Sequence, residues 1–209
     1  MGIAGPIKVL SVDDHALIRD GIKFALQFQD DMMLVGEAAN GQEAIDLFRA
    51  HKPDVTLMDL QMPVMNGIDA ILAIRDESPS ARVIVLTSYS GDAQAVRALK
   101  AGAVGYLMKG MLGKELVDTI RCVHSGGHRI SPQIADEIAE HAGTDTLTGR
   151  EIEVLQTVSA GCSNKIVAAQ LGIAEDTVKT HMKSILDKLY ANDRTHAVLI
   201  AIKRGFLSA

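Results

Sequence analysis

The chain has 209 residues, 47% of them hydrophobic and 22% charged, with a formal net charge of −5 at pH 7, an ordinary globular composition for one or two domains. Its apolar stretches are broken by charge well short of the roughly 18 residues a membrane-spanning helix needs, and its N-terminus enters a strand-like run without a signal-peptide pattern. A membrane span and export are therefore not expected, the expected location is cytoplasmic, and Cys122 and Cys162, far apart in sequence, are expected as reduced thiols.

In chain order, the first half alternates strand and helix. Strands are expected at Ile7 to Val12, Leu34 to Ala39, Val55 to Met58, Val83 to Leu86 and Gly105 to Met108, short runs rich in Val, Ile and Leu of the kind that read as buried parallel strands. Helical patterns fill the gaps at Ala16 to Gln29, Gly41 to His51, Gly67 to Asp76, Asp92 to Ala101 and Lys114 to His124, punctuated by Asn40-Gly41, Asn66-Gly67 and Gly102. Repeated βα units with right-handed crossovers predict an α/β fold, a doubly wound, five-stranded parallel sheet. After Ser125-Gly126-Gly127 the strand pattern stops. Residues 128–145 read as a linker with a short helical possibility at Gln133 to His141. From residue 146 every segment is helix-like, namely Gly149 to Ala160, Ser163 to Leu171, Ala174 to Leu189 and Thr195 to Arg204, predicting an all-α four-helix domain with a helix-turn-helix. The expected domains are thus 1–127 and 146–209. Charge divides the same way: residues 1–145 carry 13 Lys and Arg against 20 Asp and Glu, whereas residues 146–209 carry 8 against 6.

Polar residues recur where the apolar runs end: Asp13 and Asp14, Asp59, Thr87 and Lys109. In an open α/β sheet the carboxyl ends of the strands line the ligand crevice, so these side chains should converge. Three carboxylates in one pocket repel one another, and a hard cation with oxygen ligands relieves that repulsion. Mg²⁺ suits it, since it takes one or two carboxylates, keeps waters and shares its remaining positions with phosphate oxygens. Asp59, alone at the end of the central strand, could act as a nucleophile toward a phosphoryl donor. Thr87 could then donate to a phosphoryl oxygen and Lys109 neutralise developing charge. His15 beside the carboxylates is expected at the solvent edge, because Mg²⁺ prefers oxygen. Cys122, His124 and His128 match no structural zinc spacing.

These residues carry a resemblance. Val12-Asp13-Asp14, Leu57-Met58-Asp59-Leu60-Gln61-Met62-Pro63, Leu86-Thr87-Ser88 and Tyr106-Leu107-Met108-Lys109 look like the receiver domain of bacterial two-component response regulators, over roughly residues 6 to 125. The resemblance implies that Asp59 is the phosphoacceptor, that Asp14 binds Mg²⁺ directly and Asp13 partly through water, and that the Gln61 backbone carbonyl adds a ligand. It also implies a switch formed by Thr87 and Tyr106, and a sensor histidine kinase as partner. Tyr89 could screen the aspartyl phosphate from water.

In the second half, Val178, Met182, Ile185 and Leu189 fall on one helical face at i, i+4, i+7 and i+11. Lys179 and Lys183 lie beside it, with Thr180 and Ser184 continuing a polar surface suited to a DNA groove. Ser163 is a candidate N-cap, with Asn164 and Lys165 in the first turn where amides favour a phosphate. Leu147-Thr148, Arg150-Glu151, Val154-Leu155, Gly161, Ser163-Asn164-Lys165, Ala168, Leu171, Thr177-Val178-Lys179-Thr180-His181 and Arg194-Thr195 resemble the output domain of the NarL/FixJ (LuxR-type) regulators. Gly149 departs from the Pro common after Leu-Thr. The resemblance implies that Lys179, Thr180 and Lys183 face bases, that Asn164, Lys165, Thr177, His181 and Lys188 contact the backbone of double-stranded DNA, and that the protein acts as a homodimer on DNA, with Val198, Leu199 and Ile202 of the last helix as the output-domain contact.

The expectation is a response regulator, not an enzyme, in which phosphorylation of Asp59 controls sequence-specific DNA binding and transcription. An aspartate-nucleophile phosphohydrolase would need a carboxylate two residues after its nucleophile, where this chain has Gln61. A phosphorylation-independent regulator would not need Asp14, Asp59, Thr87 and Lys109 together.

Overall fold

The structure, a computed structural model, describes residues 5–88, 92–111, 113–140 and 147–207, the side chains of residues 92, 133, 137 and 140 excepted. The chain divides into two compact units, one comprising residues up to Ser88 together with Ala95–Ala135, the other chiefly residues from Asp136 onward.

In chain order the elements before residue 141 are β1 (Ile7–Val12), α1 (Ala16–Leu26), β2 (Met32–Ala38), α2 (Gly41–His51), β3 (Val55–Asp59), α3 (Gly67–Glu77), β4 (Val83–Thr87), α4 (Asp92–Lys100), β5 (Gly105–Met108), a 3₁₀ turn (Lys109–Met111), α5 (Lys114–His124), β6 (Arg129–Ile130) and α6 (Pro132–Glu140). The strands form one sheet in the order β2-β1-β3-β4-β5-β6, all neighbours parallel. Alternate strand residues face opposite sides. Val9, Val55, Leu57, Ile84, Leu86 and Leu107 pack with Ile22 and Leu26 of α1 and Leu116, Ile120 and Val123 of α5, while α2 packs against β1, β2 and α3. Each such Val, Leu or Ile contributes about 1.5–3 kcal/mol when taken fully from water.

Among the described residues the sheet has six strands, one more than expected. Residues 128–135, read as linker, carry β6, whose register sets Gly105 against Arg129 and Tyr106 against Ile130. Two residues are too few to show a period, and this strand exists because β5 offers it an open edge: Arg129 donates to the Val104 carbonyl at 3.1 Å and Ser131 to the Tyr106 carbonyl at 3.0 Å.

In the second unit α7 (Gly149–Ser159), α8 (Asn164–Leu171), α9 (Glu175–Leu189) and α10 (Arg194–Lys203) enclose Val154, Leu155, Val158, Val167, Val178, Met182, Ile185, Leu189, Ala197 and Ala201. α7 begins with a capping box at Thr148 and Glu151, so Gly149 in place of Pro leaves the helix start intact. α8 ends at Gly172, whose φ of +66° makes the left-handed turn into α9. The apolar stripe of α9 is buried as its spacing predicts. On α10, Val198 and Ile202 rest partly on the core, while Leu199 is exposed. Cys122 and Cys162 are free thiols.

Candidate functional site

The strand order explains where the pocket lies. β1 leads outward to β2 on one side and stands beside β3 on the other, and loops leaving such a reversal point part from each other and open a crevice. The ladder aligns the strand ends: Val12 sits against Met58, Asp59 against Leu86 and Thr87 against Met108. Asp13, Asp14, Thr87 and Lys109 therefore arrive around Asp59, although Asp13 and Lys109 are 96 positions apart in the chain.

Asp59 is 3% exposed. One carboxylate oxygen, Oδ1, accepts the Leu60 N–H at 2.8 Å, and Oδ2 lies 3.0 Å from the Lys109 ammonium. Lys109 also reaches Asp13 Oδ2 at 2.8 Å, bridging two buried carboxylates. Burial pushes the Asp59 pKa above its ordinary value, and the Asp13 charge adds to that against the opposing pull of Lys109 and the Gln61 backbone hydrogen bond. For Lys109 burial disfavours the charge, but hydrogen bonds to Asp13 and Asp59 outweigh it and raise its pKa, so the ammonium stays charged. Thr87 is buried at the end of β4, and the Tyr106 ring is fully buried on β5.

Among the described residues, the His, Cys, Asp and Glu side chains close enough to hold a metal together are Asp13, Asp14, His15 and Asp59, whose candidate ligand atoms lie within 4.8 Å of one another. The oxygen donors of this set suit a hard divalent cation, which would also relieve the surplus negative charge that Asp59 feels from Asp13. His15 is part of the group, with Nδ1 2.7 Å from Asp14 Oδ1, and its side chain is two-thirds exposed, as its solvent-edge placement predicted. Tyr89 lies outside the described residues.

Sequence reasoning missed two residues of this site. Arg19 on α1 donates to the Asp13 carbonyl at 2.6 Å. Gly67, at the start of α3, lies against the back of the phosphoacceptor candidate: a Cβ there would fall 2.0 Å from the Asp59 carbonyl oxygen. Its signal in the sequence, Asn66-Gly67, reads as a turn, and only the fold shows the close approach. Gly67→Ala must push the β3–α3 loop off Asp59, and the expected result is a loss of about 1–3 kcal/mol. A lowered urea midpoint together with slower labelling of Asp59 checks this; an unchanged midpoint refutes the close-approach argument.

The second unit offers a polar helix face. Thr177, Lys179, Thr180 and Lys183 are exposed on α9, and Lys165 is exposed at the start of α8. Asn164 and His181 are half-buried. Ser163 occupies the N-cap position of α8, but its side chain makes no cap hydrogen bond. Lys179 pairs with Asp176 at 2.9 Å; both are exposed, and such a pair is readily exchanged for another partner. Lys188, expected as a DNA-backbone contact, makes an internal pair in this structure. Its ammonium lies 2.8 Å from Glu151 Oε2 on α7 and is largely covered. Ser184 donates to Glu151 Oε1 at 2.7 Å, so one buried carboxylate ties α9 to α7 at two points. A partner 37 positions away is invisible to helix spacing.

Comparison with known proteins matches both units. Residues 9–121 match the response regulator receiver domain, and residues 145–201 match the bacterial regulatory proteins of the luxR family. The chain is 43% identical over 206 residues to the transcriptional regulatory protein YhcZ of Bacillus subtilis, covering 94% of this chain and 96% of that protein. It is 38% identical over 206 residues to the response regulator protein VraR of Staphylococcus aureus, covering 96% and 99%. The crystal structure of ChrA, a response regulator in a heme-sensing two-component system, is similar with a TM-score of 0.59 and 33% identity over 98% of this chain and 100% of that one.

Proposed function

Because the chain belongs to the response regulators that join a receiver to a LuxR-family DNA-binding domain, we propose that Asp59 is its phosphoacceptor and that a sensor histidine kinase is the phosphoryl source. The protein is a transcriptional regulator whose DNA binding responds to phosphorylation. The observation that carries the site assignment is the convergence of Asp13, Asp14 and Lys109 on buried Asp59 at the β1/β3 reversal. The family is one of DNA-binding regulators rather than of enzymes, and the chemistry proposed here is transfer to the protein itself.

In this reading Asp13, Asp14, Asp59 and the Gln61 carbonyl hold Mg²⁺, which when bound supplies positive charge to the phosphoryl oxygens. The Asp59 carboxylate attacks phosphorus, forming an O–P bond as the donor's bond to phosphorus breaks. Lys109, already 3.0 Å from that carboxylate, neutralises charge on the side where it develops. The Thr87 hydroxyl turns toward the phosphoryl group and the Tyr106 ring packs behind it, forming the switch that biases the receiver between two states.

The proposed DNA surface is α9 with the start of α8: Lys179, Thr180 and Lys183 toward base edges, and Asn164, Lys165, Thr177 and His181 toward the backbone of the duplex. Lys188 is left out of this surface, since its ammonium is engaged by Glu151 within the unit. A homodimer on DNA is part of the proposal, with exposed Leu199 on α10 as a contact, and the cytoplasm is the proposed site of action. Among the described residues, no helix is long and apolar enough to cross a membrane.

The test is a duplex titration at fixed salt. Lys179→Ala and Lys183→Ala should each weaken binding to the specific site on the order of tenfold to a hundredfold, with a smaller effect on a scrambled duplex and normal phosphorylation of Asp59. Phosphorylation should tighten wild-type binding. Equal losses on both duplexes would refute base reading, and identical affinities with and without phosphorylation would refute control by Asp59.

A further inference from the structure

We propose that Arg19 is a positioning residue of the acidic pocket, its guanidinium anchoring the peptide that joins Asp13 to Asp14 and so holding that pair in register with Asp59. The inference rests on reading the pocket as a Mg²⁺-dependent phosphoacceptor site. Side chains on a helix lean toward its N-terminus, so an arginine one turn into α1 is aimed back at the preceding loop. Arg19 Nη1 meets the Asp13 carbonyl oxygen at 2.6 Å.

Local helix rules do not account for Arg at this position. A cation in the first turn opposes the helix dipole, the first turn of α1 holds no acidic residue, and the His15 side chain makes no cap hydrogen bond. What Arg19 gains lies in the loop, where it completes the engagement of Asp13. The Asp13 N–H donates to the Ala38 carbonyl at 3.0 Å. Its Oδ1 accepts the His15 N–H at 2.9 Å, and its Oδ2 meets Lys109 at 2.8 Å. Those contacts fix the strand end and the side chain. Among the described contacts, the one from Arg19 grips the plane of the peptide leading to Asp14. Asp14 is the more exposed partner, its carboxylate touched by the exposed ring of His15, so its direction follows from that peptide plane.

Geometry and charge predict opposite signs. As a bare positive charge beside the pocket, Arg19 would repel a cation, and its removal would tighten Mg²⁺ binding. As an anchor it preorganises the oxygen ligands, and its removal weakens binding. Calorimetric titration of MgCl₂ into the unphosphorylated full chain should give about a tenfold weaker dissociation constant for Arg19→Ala, the size typical of lost outer-shell support. Arg19→Lys, which keeps the charge with a shorter reach and no planar fork, should fall between the two. Initial labelling rates with acetyl phosphate should drop at low Mg²⁺ and return to the wild-type rate at saturating Mg²⁺. Unchanged or tighter Mg²⁺ binding in Arg19→Ala overturns the proposal, as does a rate that stays low at saturation with normal affinity. If the wild-type chain binds no Mg²⁺, the reading of the pocket fails and the proposal with it; if wild type binds and the Arg19 variants bind as tightly, the pocket stands and the anchoring role is refuted.

Discussion

The Asp59→Asn protein should accept no phosphoryl group from acetyl phosphate, a loss of more than about a hundredfold in initial rate. The amide is nearly isosteric with the carboxylate, so the fold should persist, but it has no anionic oxygen to attack phosphorus. Chelation with EDTA should have a similar effect on the wild type, because Asp13 and Asp59 then face incoming phosphoryl oxygens with Lys109 alone to offset them. Mass mapping of the labelled protein gives the answer directly. Label retained in Asp59→Asn, or full labelling in EDTA, would place the chemistry elsewhere. Lys109→Ala should be folded and labelled slowly: without the ammonium, the carboxylates of Asp13 and Asp59 repel unopposed, and less of Asp59 is ionised to attack.

The second large effect belongs to Glu151. This side chain is 4% exposed, and although burial by itself would raise its pKa, hydrogen bonds from Lys188, the Thr148 N–H, Ser184 and the Thr148 hydroxyl bring it down to about 2 from 4.5. A depressed carboxylate pKa means that folding favours the ionised form. The stability it contributes is complete above pH 4.5, the unfolded value, and is lost progressively as pH falls toward 2. The shift corresponds to roughly 3 kcal/mol for the second unit. Glu151→Ala should forfeit a comparable amount at pH 7, because it opens the capping box of α7 and strands Lys188 and Ser184 at once, although Lys188 can turn partly to water. Thermal unfolding at pH 7 and pH 3.5 tests both statements. Wild type should lose roughly two-fifths of its advantage over Glu151→Gln at the lower pH; a gap that stays constant with pH would show that the ionised carboxylate is not what stabilises the unit. Since α9 carries Lys179 and Lys183, the same substitution should weaken DNA binding without touching Asp59 labelling.

The architecture was legible because its signals are local and repeated. β1, α2, β5 and α5 coincide with their expected limits, since a buried parallel strand writes a continuous apolar run and each helix writes an amphipathic period between turn residues. The α9 stripe was equally plain, because burial of Val178, Met182, Ile185 and Leu189 follows from spacing alone. β6 was not legible: two residues have no period, and what makes them a strand is the free edge of β5.

Side-chain order at the strand ends predicted that Asp13, Asp14, Asp59 and Lys109 would converge, and they do, because a parallel sheet must bring its carboxyl ends together whatever its detailed register. The partners of those residues were another matter. That Lys109 bridges Asp13 and Asp59, that Arg19 holds the Asp13 carbonyl, that Gly67 leaves no room for a Cβ beside Asp59, and that Lys188 is tied to Glu151 are all contacts between side chains or backbone set by packing. Periodicity records which face of an element is buried, not which group on another element it meets. A charge on a helix surface reads the same whether it awaits a phosphate, as proposed for Lys183, or closes an internal pair, as Lys188 does. Tertiary structure makes that distinction, because only there do the competing partners acquire distances.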